Sequence, residues 1–305
     1  MRTLRFTAEL RAQLTPARRA QRRIGLVPTM GALHDGHVSL IERARSECDV
    51  VVVSVFVNPS QFGPEEDLAA YPRDEAADAE RARAAGADLL FAPTVAEVYP
   101  PGFCTSIQVP GVSEALCGAV RGATHFQGVA TVVVKLLNMA GPDVLYLGQK
   151  DAQQAAVIRR VVCDLDIPVD IVVCPIVRAA DGLALSSRNA YLHPRERRRA
   201  VALRDGLDAT ERAIAAGERD PLAAADAGRA AMAAHDVEPE YLEIVSPDSL
   251  VAVGVIEGHV LIATAARVGG ARLIDNALVS SPQSSPPPLP SAFPLQIGDS
   301  PTCSV

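Results

Sequence analysis

The stretch "IGLVPTMGALHDGHVSLIERARSE", residues 24–47, joins a short apolar run to a helical pattern through a glycine-containing turn. Its first part, "IGLVP" (24–28), is continuously apolar rather than alternating, which is typical of a strand buried on both faces. Gly31 permits the tight turn that follows, and we expect Asp35 to cap a helix that begins near Gly36. The stretch therefore predicts one strand–turn–helix unit of an α/β fold.

The same unit recurs along the chain. Further apolar runs alternate with helical patterns, and they are "VVVSVFV" (51–57), "DLLFA" (88–92), "DVLYLG" (143–148) and "VDIVVC" (169–174). Strands that alternate with helices favour parallel pairing, with helices covering the sheet. The pattern predicts a Rossmann-like, doubly wound parallel sheet with helices on both faces.

The pattern changes after about residue 176. Residues 194–235 are rich in Ala and Arg and look helical, and residues 241–246 and 259–268 alternate like antiparallel strands. The last residues are dense in Pro and Ser and offer little apolar surface to bury. We predict three parts: a Rossmann-like domain over 1–176, which would hold the ligands argued below, a smaller α+β C-terminal domain over 177–276 that carries the Ser-Ser-Arg loop, and a disordered tail over 277–305.

Composition excludes several classes of protein. The 305 residues include 49% hydrophobic residues and carry a net charge of −7, which argues against a uniformly basic nucleic-acid surface. The sequence has neither a signal-peptide pattern nor an uninterrupted apolar stretch of about 20 residues. The cysteines show no zinc-ligand spacing. We expect a cytoplasmic protein with no nucleic-acid partner, no membrane span and no structural zinc.

His34 and His37 stand at the predicted helix start. Free backbone N–H groups and the positive end of a helix suit an anion there, and two imidazoles can donate hydrogen bonds to phosphate oxygens. A metal pair is less favoured because no third ligand is evident. The remaining alternative is a capping turn with two solvated histidines. Phosphate chemistry is the preferred interpretation.

Polar residues also follow two of the other strands. Asn58 and Gln61 come after the run 51–57, and ligands of open α/β sheets bind at such strand ends. Residues 62–72 look like a mobile flap over that end. An ordinary polar loop is an equally good interpretation of these residues on their own.

Lys150 and Asp151 follow the run 143–148 at the start of the next helix. A lysine there suits phosphate as a point charge, and Asp151 can cap the helix or hold a ribose hydroxyl. Of the next two glutamines, one can face a ligand from the first helical turn. A surface lysine beside a capping aspartate is the simpler alternative.

Two loops complete the set of candidates. Arg121 and His125 lie in a glycine-flanked loop before a helix and can contact an anion, although on this signal alone a structural loop is the favoured interpretation. Ser186, Ser187 and Arg188 combine small hydroxyls with a guanidinium at the predicted domain junction. Arginine suits bidentate recognition of phosphate or carboxylate, and the alternative for these three residues is a solvated loop.

"HDGH" (34–37) and "LSSRN" (185–189) resemble the HIGH-like and KMSKS-like motifs of the nucleotidyltransferase superfamily. The resemblance becomes specific with four stretches in order: "PTMGALHDGH", "NPSQFGPEEDLAAYPR", "GQKDAQQ" and "GLALSSRNAYL". Together they resemble the pantothenate synthetase (pantoate–β-alanine ligase) family over about residues 1–276.

This resemblance implies a two-step ligation that uses ATP and Mg²⁺, the metal accompanying ATP without an assigned protein ligand. The carboxylate of pantoate attacks the α-phosphorus to give pantoyl adenylate and pyrophosphate. The amine of β-alanine then attacks the acyl carbon and releases AMP. The resemblance also implies a homodimer.

The resemblance implies a role for each candidate residue. The residues that act on the phosphates are His34, His37, Lys150, Ser186, Ser187 and Arg188. Further ATP contacts are Pro28, Met30, Gly36, Gly148 and Asp151. The pantoate contacts are Met30, Gln61, Gln154 and Asn58. Additional anion contacts are Arg121 and His125.

Two positions depart from the family pattern. Gln149 stands where the family more often has Glu, and Leu185 replaces the usual Met, which conserves volume.

Three rival functions share part of the pattern. A different nucleotidyltransferase would not need "NPSQF" or "GQKDAQQ". An RNA binder resembling an aminoacyl-tRNA synthetase conflicts with the net charge of −7. A paralogue that only binds nucleotide would not need His34, His37, Lys150 and Arg188.

Overall fold

A six-stranded parallel sheet forms the first part of the fold. The structure, a computed structural model, describes residues 1–64 and 66–281. The strands are β1 (Arg2–Leu4), β2 (Ile24–Thr29), β3 (Val50–Val55), β4 (Leu89–Phe91), β5 (Val144–Gly148) and β6 (Asp170–Cys174). Their order is β1-β4-β3-β2-β5-β6, with every neighbouring pair parallel. The predicted doubly wound parallel sheet is confirmed.

Helices cover both faces of this sheet. They are α1 (Thr7–Arg19), α2 (Asp35–Glu47), α3 (Glu75–Ala84), α4 (Val95–Val98), α5 (Cys117–Arg121), α6 (Ala123–Ala140) and α7 (Ala152–Asp164). Leu26 of β2 packs in a cluster with α1, α6 and α7, whereas the next residue, Val27, packs in a cluster with α2 and α3. Because successive strand residues point to opposite faces and both faces are buried, the strand sequence is continuously apolar.

A smaller α+β unit follows. Its helices are α8 (Pro194–Ala200), α9 (Ala202–Ala215) and α10 (Pro221–Ala233), and its strands are β7 (Pro239–Val245), β8 (His259–Val268) and β9 (Ala271–Ser280). The three strands pair antiparallel in the order β7-β8-β9. Leu203 and Leu207 of α9 and Met232 of α10 pack against the sheet in a buried cluster of their own. The predicted α+β character of this part is confirmed.

Two strands were not anticipated from the sequence. β1 is only three residues long, and β9 follows β8 directly through Gly269 and Gly270. Residues 277–280, at the start of the predicted tail, belong to β9, and from residue 282 the predicted tail lies outside the described residues. The boundary predicted at 176 falls between β6 and the 3-10 turn Ser187–Tyr191.

The strand order reverses at β2, which pairs with β3 on one side and with β5 on the other. The carboxyl ends of β2 and β5 therefore flank a crevice, the usual ligand position in open α/β sheets. The smaller unit packs close by, because Leu261 and Ala263 of β8 share a buried cluster with Leu116 and Ala156. In the described part of the chain, none of the helices combines the length and the apolar character needed to span a bilayer.

Candidate active site

Helix α2 begins with a histidine cap. His34, rather than the predicted Asp35, is the N-cap residue, and its Nδ1 accepts a hydrogen bond from the Gly36 backbone N–H at 3.1 Å. A Cβ atom at Gly36 would lie 2.8 Å from Cε1 of His34, so only glycine leaves room for this ring. Asp35 instead points outward, with its carboxylate 3.4 Å from Arg81. The imidazole takes over the capping that the sequence pattern assigned to the carboxylate.

The backbone fixes the protonation of both rings. Nδ1 of His37 accepts from the His34 backbone N–H at 3.3 Å, so each imidazole carries its proton on Nε2. Burial lowers the pKa of His34 to about 4, and the Lys150 charge adds to this effect. Burial, His34 and Lys150 also hold the pKa of His37 well below its ordinary value. At neutral pH the pair consists of two uncharged hydrogen-bond donors, with ring centroids 4.1 Å apart.

The loop that carries His34 is held by a buried carboxylate. Asp78 of α3 is 3% exposed and accepts the backbone N–H groups of Leu33 at 2.7 Å and Ala32 at 3.0 Å. Burial raises its pKa despite these two hydrogen bonds. The predicted turn at Gly31 is confirmed by a φ of +84°, a conformation that favours glycine. Asp78 thus connects α3 to the approach of α2.

A 3-10 turn, Gln149–Asp151, follows β5 and leads into α7. The Lys150 ammonium lies 3.7 Å from the Asp151 carboxylate, and the Lys150 side chain is one-fifth exposed. Of the two following glutamines, Gln154 lines the cavity described below, whereas Gln153 bonds within the protein. Gln153 is buried and bonds Cys117, Val112 and Ala115 through their backbones.

Asn58 caps a short 3-10 turn, Pro59–Gln61, that follows β3 and ends at Gln61. Nδ2 of Asn58 donates to Oε1 of Gln61 at 3.0 Å and to the Gly128 carbonyl at 3.2 Å, so both of its amide protons serve the protein. Nε2 of Gln61 donates to the Met30 sulfur at 3.1 Å. A thioether is a weak acceptor, so this proton can pass to a stronger one.

Asp67 and Tyr71, within the predicted flap, lie against the Ser-Ser-Arg loop. Arg188 donates from Nε and Nη2 to the two carboxylate oxygens of Asp67, at 3.0 and 2.8 Å. The hydroxyl of Tyr71 lies 3.1 Å from Oγ of Ser187, and Oγ of Ser186 accepts from the Arg188 backbone N–H at 3.3 Å. We call the Asp67–Arg188 and Tyr71–Ser187 contacts the flap latch.

A second ion pair ties the flap to α5. Arg121 donates to both carboxylate oxygens of Glu66, at 2.7 and 2.6 Å, and from Nη1 to Nε2 of His125 at 2.8 Å. The proton of His125 therefore lies on Nδ1, 2.8 Å from the Gln61 carbonyl. Burial lowers the His125 pKa to about 4, with a further contribution from Arg121. Burial alone would raise the pKa of Glu66, but Arg121 outweighs it and brings the pKa to about 2.

One cavity of about 210 Å³ at the β2–β5 crevice brings the predicted residues together. Every candidate site residue of the sequence analysis lines it: Pro28, Met30, His34, Gly36, His37, Asn58, Gln61, Arg121, His125, Gly148, Lys150, Asp151, Gln154, Ser186, Ser187 and Arg188.

Comparison with known proteins identifies the family. A family model described as pantoate-beta-alanine ligase matches residues 2–278. The chain belongs to the pantoate–β-alanine ligase family. It is accordingly a ligase.

Relatives of this ligase family match nearly full length. The chain is 49% identical to pantothenate synthetase 1 of Bradyrhizobium diazoefficiens and 53% identical to a pantothenate synthetase of Pseudomonas aeruginosa, in each case over 92% of this chain and 99% of the relative. A crystal structure of pantothenate synthetase from Thermus thermophilus superposes with a TM-score of 0.86 at 47% identity, covering 91% of this chain and 99% of that one. A ligase from Francisella tularensis, described as complexed with beta-gamma ATP and beta-alanine, superposes at 0.77 with 33% identity, covering 91% and 97%.

Four residues around this cavity were missed by sequence reasoning. They are Glu66, Asp67, Tyr71 and Asp78. The first three lie within the flap stretch, where the only signal was a run of polar residues. Asp78 lies on the buried face of α3, one helical turn before the buried Ala82. A carboxylate on the core side of a helix is the signal that could have found it.

Proposed function

We propose that this cavity catalyses the ATP-dependent condensation of pantoate with β-alanine to pantothenate, through pantoyl adenylate. The pantoate carboxylate attacks the α-phosphorus of ATP and pyrophosphate leaves. The β-alanine amine then attacks the acyl carbon and AMP leaves. The observation that carries the proposal is the meeting of two neutral histidines, Lys150 and the Ser186–Arg188 loop at one end of a parallel sheet. Family membership and the ligands named for the Francisella tularensis structure support it.

The phosphates are bound at the start of α2. Nε2–H groups of His34 and His37 donate to phosphate oxygens, and the helix end adds its partial positive charge. Uncharged donors are suited to the transition state, because they stabilise charge that develops there without a net charge that would trap the ground state. Lys150, Ser186, Ser187 and Arg188 complete the triphosphate cradle. Arg121 supplies a further anion contact at its edge by exchanging its pair with Glu66 for a phosphate oxygen. Both ring nitrogens of His125 are already hydrogen-bonded within the protein, so His125 contributes by holding Arg121.

Pantoate is bound by the two glutamine amides. The side-chain amide of Gln154 lines the cavity and has no hydrogen-bond partner within residues 1–64 and 66–281, so it is available to a ligand. Gln61 exchanges its weak bond to the Met30 sulfur for a pantoate oxygen. Asn58 contributes to this pocket by fixing Oε1 of Gln61.

The adenosine moiety lies along the β5 end of the cavity. A Cβ atom at Gly148 would meet nothing within 4 Å among the residues whose placement is described, which leaves room for a nucleoside against this backbone. Asp151, whose side chain is about half exposed, faces the same space and can accept ribose hydroxyls. Pro28, Met30 and Gly36 line the same cavity and supply the further ATP contacts.

Mg²⁺ enters with ATP. The described part of the chain contains no cluster of three or more His, Cys, Asp or Glu side chains able to hold a metal. Magnesium in nucleotide sites is typically bound by the phosphates, water and one or two carboxylates, and Asp151 offers such a carboxylate at the cavity wall. When bound, the ion would neutralise part of the phosphate charge. Orientation and charge stabilisation by the chain's own residues supply the remaining catalysis.

The family resemblance also supports a homodimer that acts in the cytoplasm. The net charge of −7 argues against a nucleic-acid partner. The proposed partners are therefore three small molecules: ATP, pantoate and β-alanine.

The test is AMP and pantothenate release by the purified chain with ATP and Mg²⁺, with pantoate and β-alanine supplied together and each omitted in turn. Release of both products only with the complete set supports the ligase. Pantoate-dependent exchange of labelled pyrophosphate into ATP, without β-alanine, isolates the first step. ATP binding with no AMP under any combination would refute the proposal.

The chain offers a matched control for this assay, because it contains only two lysines, Lys135 and Lys150. Lys135 lies over the Phe103 ring at 4.5 Å and does not line the cavity. Lys150→Ala should lose pyrophosphate exchange and keep pantoate binding, whereas Lys135→Ala should keep both. Near-normal exchange in Lys150→Ala would remove Lys150 from the proposed site.

A further inference from the structure

Strand β9 reaches the 3-10 turn that carries Lys150. Asn276 is 3% exposed, and its Nδ2 donates to the backbone carbonyls of Gln149 at 2.9 Å and Lys150 at 3.0 Å. Its Oδ1 accepts from Nε2 of Gln149 at 3.3 Å. One buried amide thus uses both of its protons and its oxygen on this turn. Such a fully satisfied buried group fixes geometry strongly, because breaking it leaves unpaired polar atoms.

The preceding residue of β9 holds the other half of the cradle. Asp275, 3% exposed, accepts from both terminal nitrogens of Arg178, at 2.6 and 3.0 Å. Arg178 donates in turn to the Gly182 carbonyl at 3.1 Å and pairs through its backbone with Ala184. The segment from Arg178 to Ala184 leads directly into Ser186, Ser187 and Arg188.

The Ser-Ser-Arg loop is connected to this segment a second time. Nδ2 of Asn189 donates to the Ala184 carbonyl at 3.1 Å, which closes the loop around Ser186–Arg188. The bidentate Arg178–Asp275 pair is the strongest polar contact of the segment, since its carboxylate is almost completely buried. Two adjacent residues of one strand therefore hold both Lys150 and the loop of Arg188.

We propose that Asp275 and Asn276 are positioning residues that set the separation between Lys150 and the Ser186–Arg188 loop, and so the fit of the cradle to a triphosphate. Neither residue acts on the phosphates itself. Asn276 acts through the backbone of Lys150, and Asp275 acts through Arg178. The inference rests on the proposed function in that it takes the triphosphate of ATP as the ligand of this cradle.

A double-mutant cycle on ATP affinity tests the action of Asn276 through Lys150. ATP binding to the full chain is measured by titration calorimetry for Asn276→Ala, Lys150→Ala and the double variant. Asn276→Ala should weaken ATP binding about tenfold in the unaltered background and less than about twofold when Lys150 is already replaced. Asn138→Ala, at an exposed asparagine, is the matched control and should leave the affinity unchanged. Equal losses in both backgrounds, or no loss in the first, would overturn the proposal.

Asn276→Asp is a second variant in case Asn276→Ala does not fold. It keeps the size of the side chain but turns an oxygen towards two carbonyls, and the same coupling is expected. A second double-mutant cycle on ATP affinity combines Asp275→Asn with Arg188→Ala. Asp275→Asn should raise the dissociation constant for ATP in the same calorimetric titration, while the dissociation constant for pantoate stays within about twofold. An equal rise in both constants would indicate general loosening and overturn the role of Asp275.

Affinity is measured without turnover, so the two proposals can fail separately. Intact coupling in a chain that makes no pantothenate would refute the proposed function and leave the positioning roles standing. Pantothenate synthesis without coupling would refute the positioning roles alone. A chain that binds no ATP at all would overturn both.

Discussion

Replacing Asp67 with Asn should increase the affinity for ATP. Arg188 gives two donor nitrogens to Asp67 at 3.0 and 2.8 Å, and both side chains are about three-quarters buried. A triphosphate that binds Arg188 must first displace this carboxylate. Hydrogen bonds to charged groups contribute about 1.5–3 kcal/mol each, and the partial exposure of this pair reduces the competition to about 1–2 kcal/mol. Removing the competing charge should therefore tighten ATP binding by a factor of about 5–30.

The assay is calorimetric titration of the purified chain with ATP in the absence of pantoate. Asp164→Asn is the matched control, because Asp164 also pairs with an arginine, Arg160, but on an exposed helix surface. Its ATP affinity should equal that of the unaltered chain. An ATP dissociation constant for Asp67→Asn that is unchanged or larger would refute the reasoning that the flap carboxylate and the phosphate compete for Arg188.

The same variant should loosen the flap during turnover. With the Asp67 contact weakened, Tyr71–Ser187 is the remaining part of the latch, so water should reach the acyl adenylate more often. We expect more AMP released per pantothenate formed when β-alanine is limiting. A ratio that matches the unaltered chain would show that the latch does not exclude water.

Three further predictions concern the start of α2 and its surroundings. Gly36→Ala should push the His34 ring out of place, because the new Cβ would lie 2.8 Å from it, and pyrophosphate exchange should fall by about a hundredfold while the fold persists by circular dichroism. Asp78→Ala should lower the free energy of unfolding, measured by urea titration, by about 1–3 kcal/mol, because the backbone N–H groups of Ala32 and Leu33 lose their acceptor. An unchanged urea midpoint would contradict this role of Asp78. In the folded chain the pKa values of His34 and His125 are about 4, below the ordinary 6.5. Between pH 4 and pH 6.5 the unfolded chain therefore binds more protons than the folded chain. The free energy of unfolding should fall as the pH falls from 6.5 towards 4. The urea midpoint at pH 5 relative to pH 7 measures this, and His125→Gln should reduce the difference.

The sheet was predictable because its strands are buried on both faces. β2, β3 and β5 appear as continuous apolar runs, and the helices between them keep their own periodicity. β1 and β9 were missed for different reasons. β1 has three residues, and β9 carries buried polar residues, Asp275 and Asn276, that interrupt its apolar pattern.

The lining of the cavity was predictable because each motif follows a strand of the parallel sheet, and strand ends of one direction meet at one edge. The contacts within the lining were not. Arg188 meets Asp67 across 121 positions of sequence, and Asn276 meets Lys150 across 126. Local patterns carry no information about such pairs. The cap at His34 was misassigned because Asp35 is the better capping residue by type, whereas the ring next to Gly36 fits the backbone.

Because Asn276 of β9 holds the Lys150 turn, this turn is braced only late in the synthesis of the chain. A ribosome delivers all six strands of the parallel sheet by residue 174, together with the histidines and Lys150. The Asn276 amide that holds the Lys150 turn emerges about a hundred residues later, after roughly 5–20 seconds of elongation. Nascent chains can therefore form the sheet while the proposed triphosphate cradle is still unbraced. Within residues 1–64 and 66–281, β9 is the last strand to be made, and its synthesis completes the bracing of the Lys150 turn.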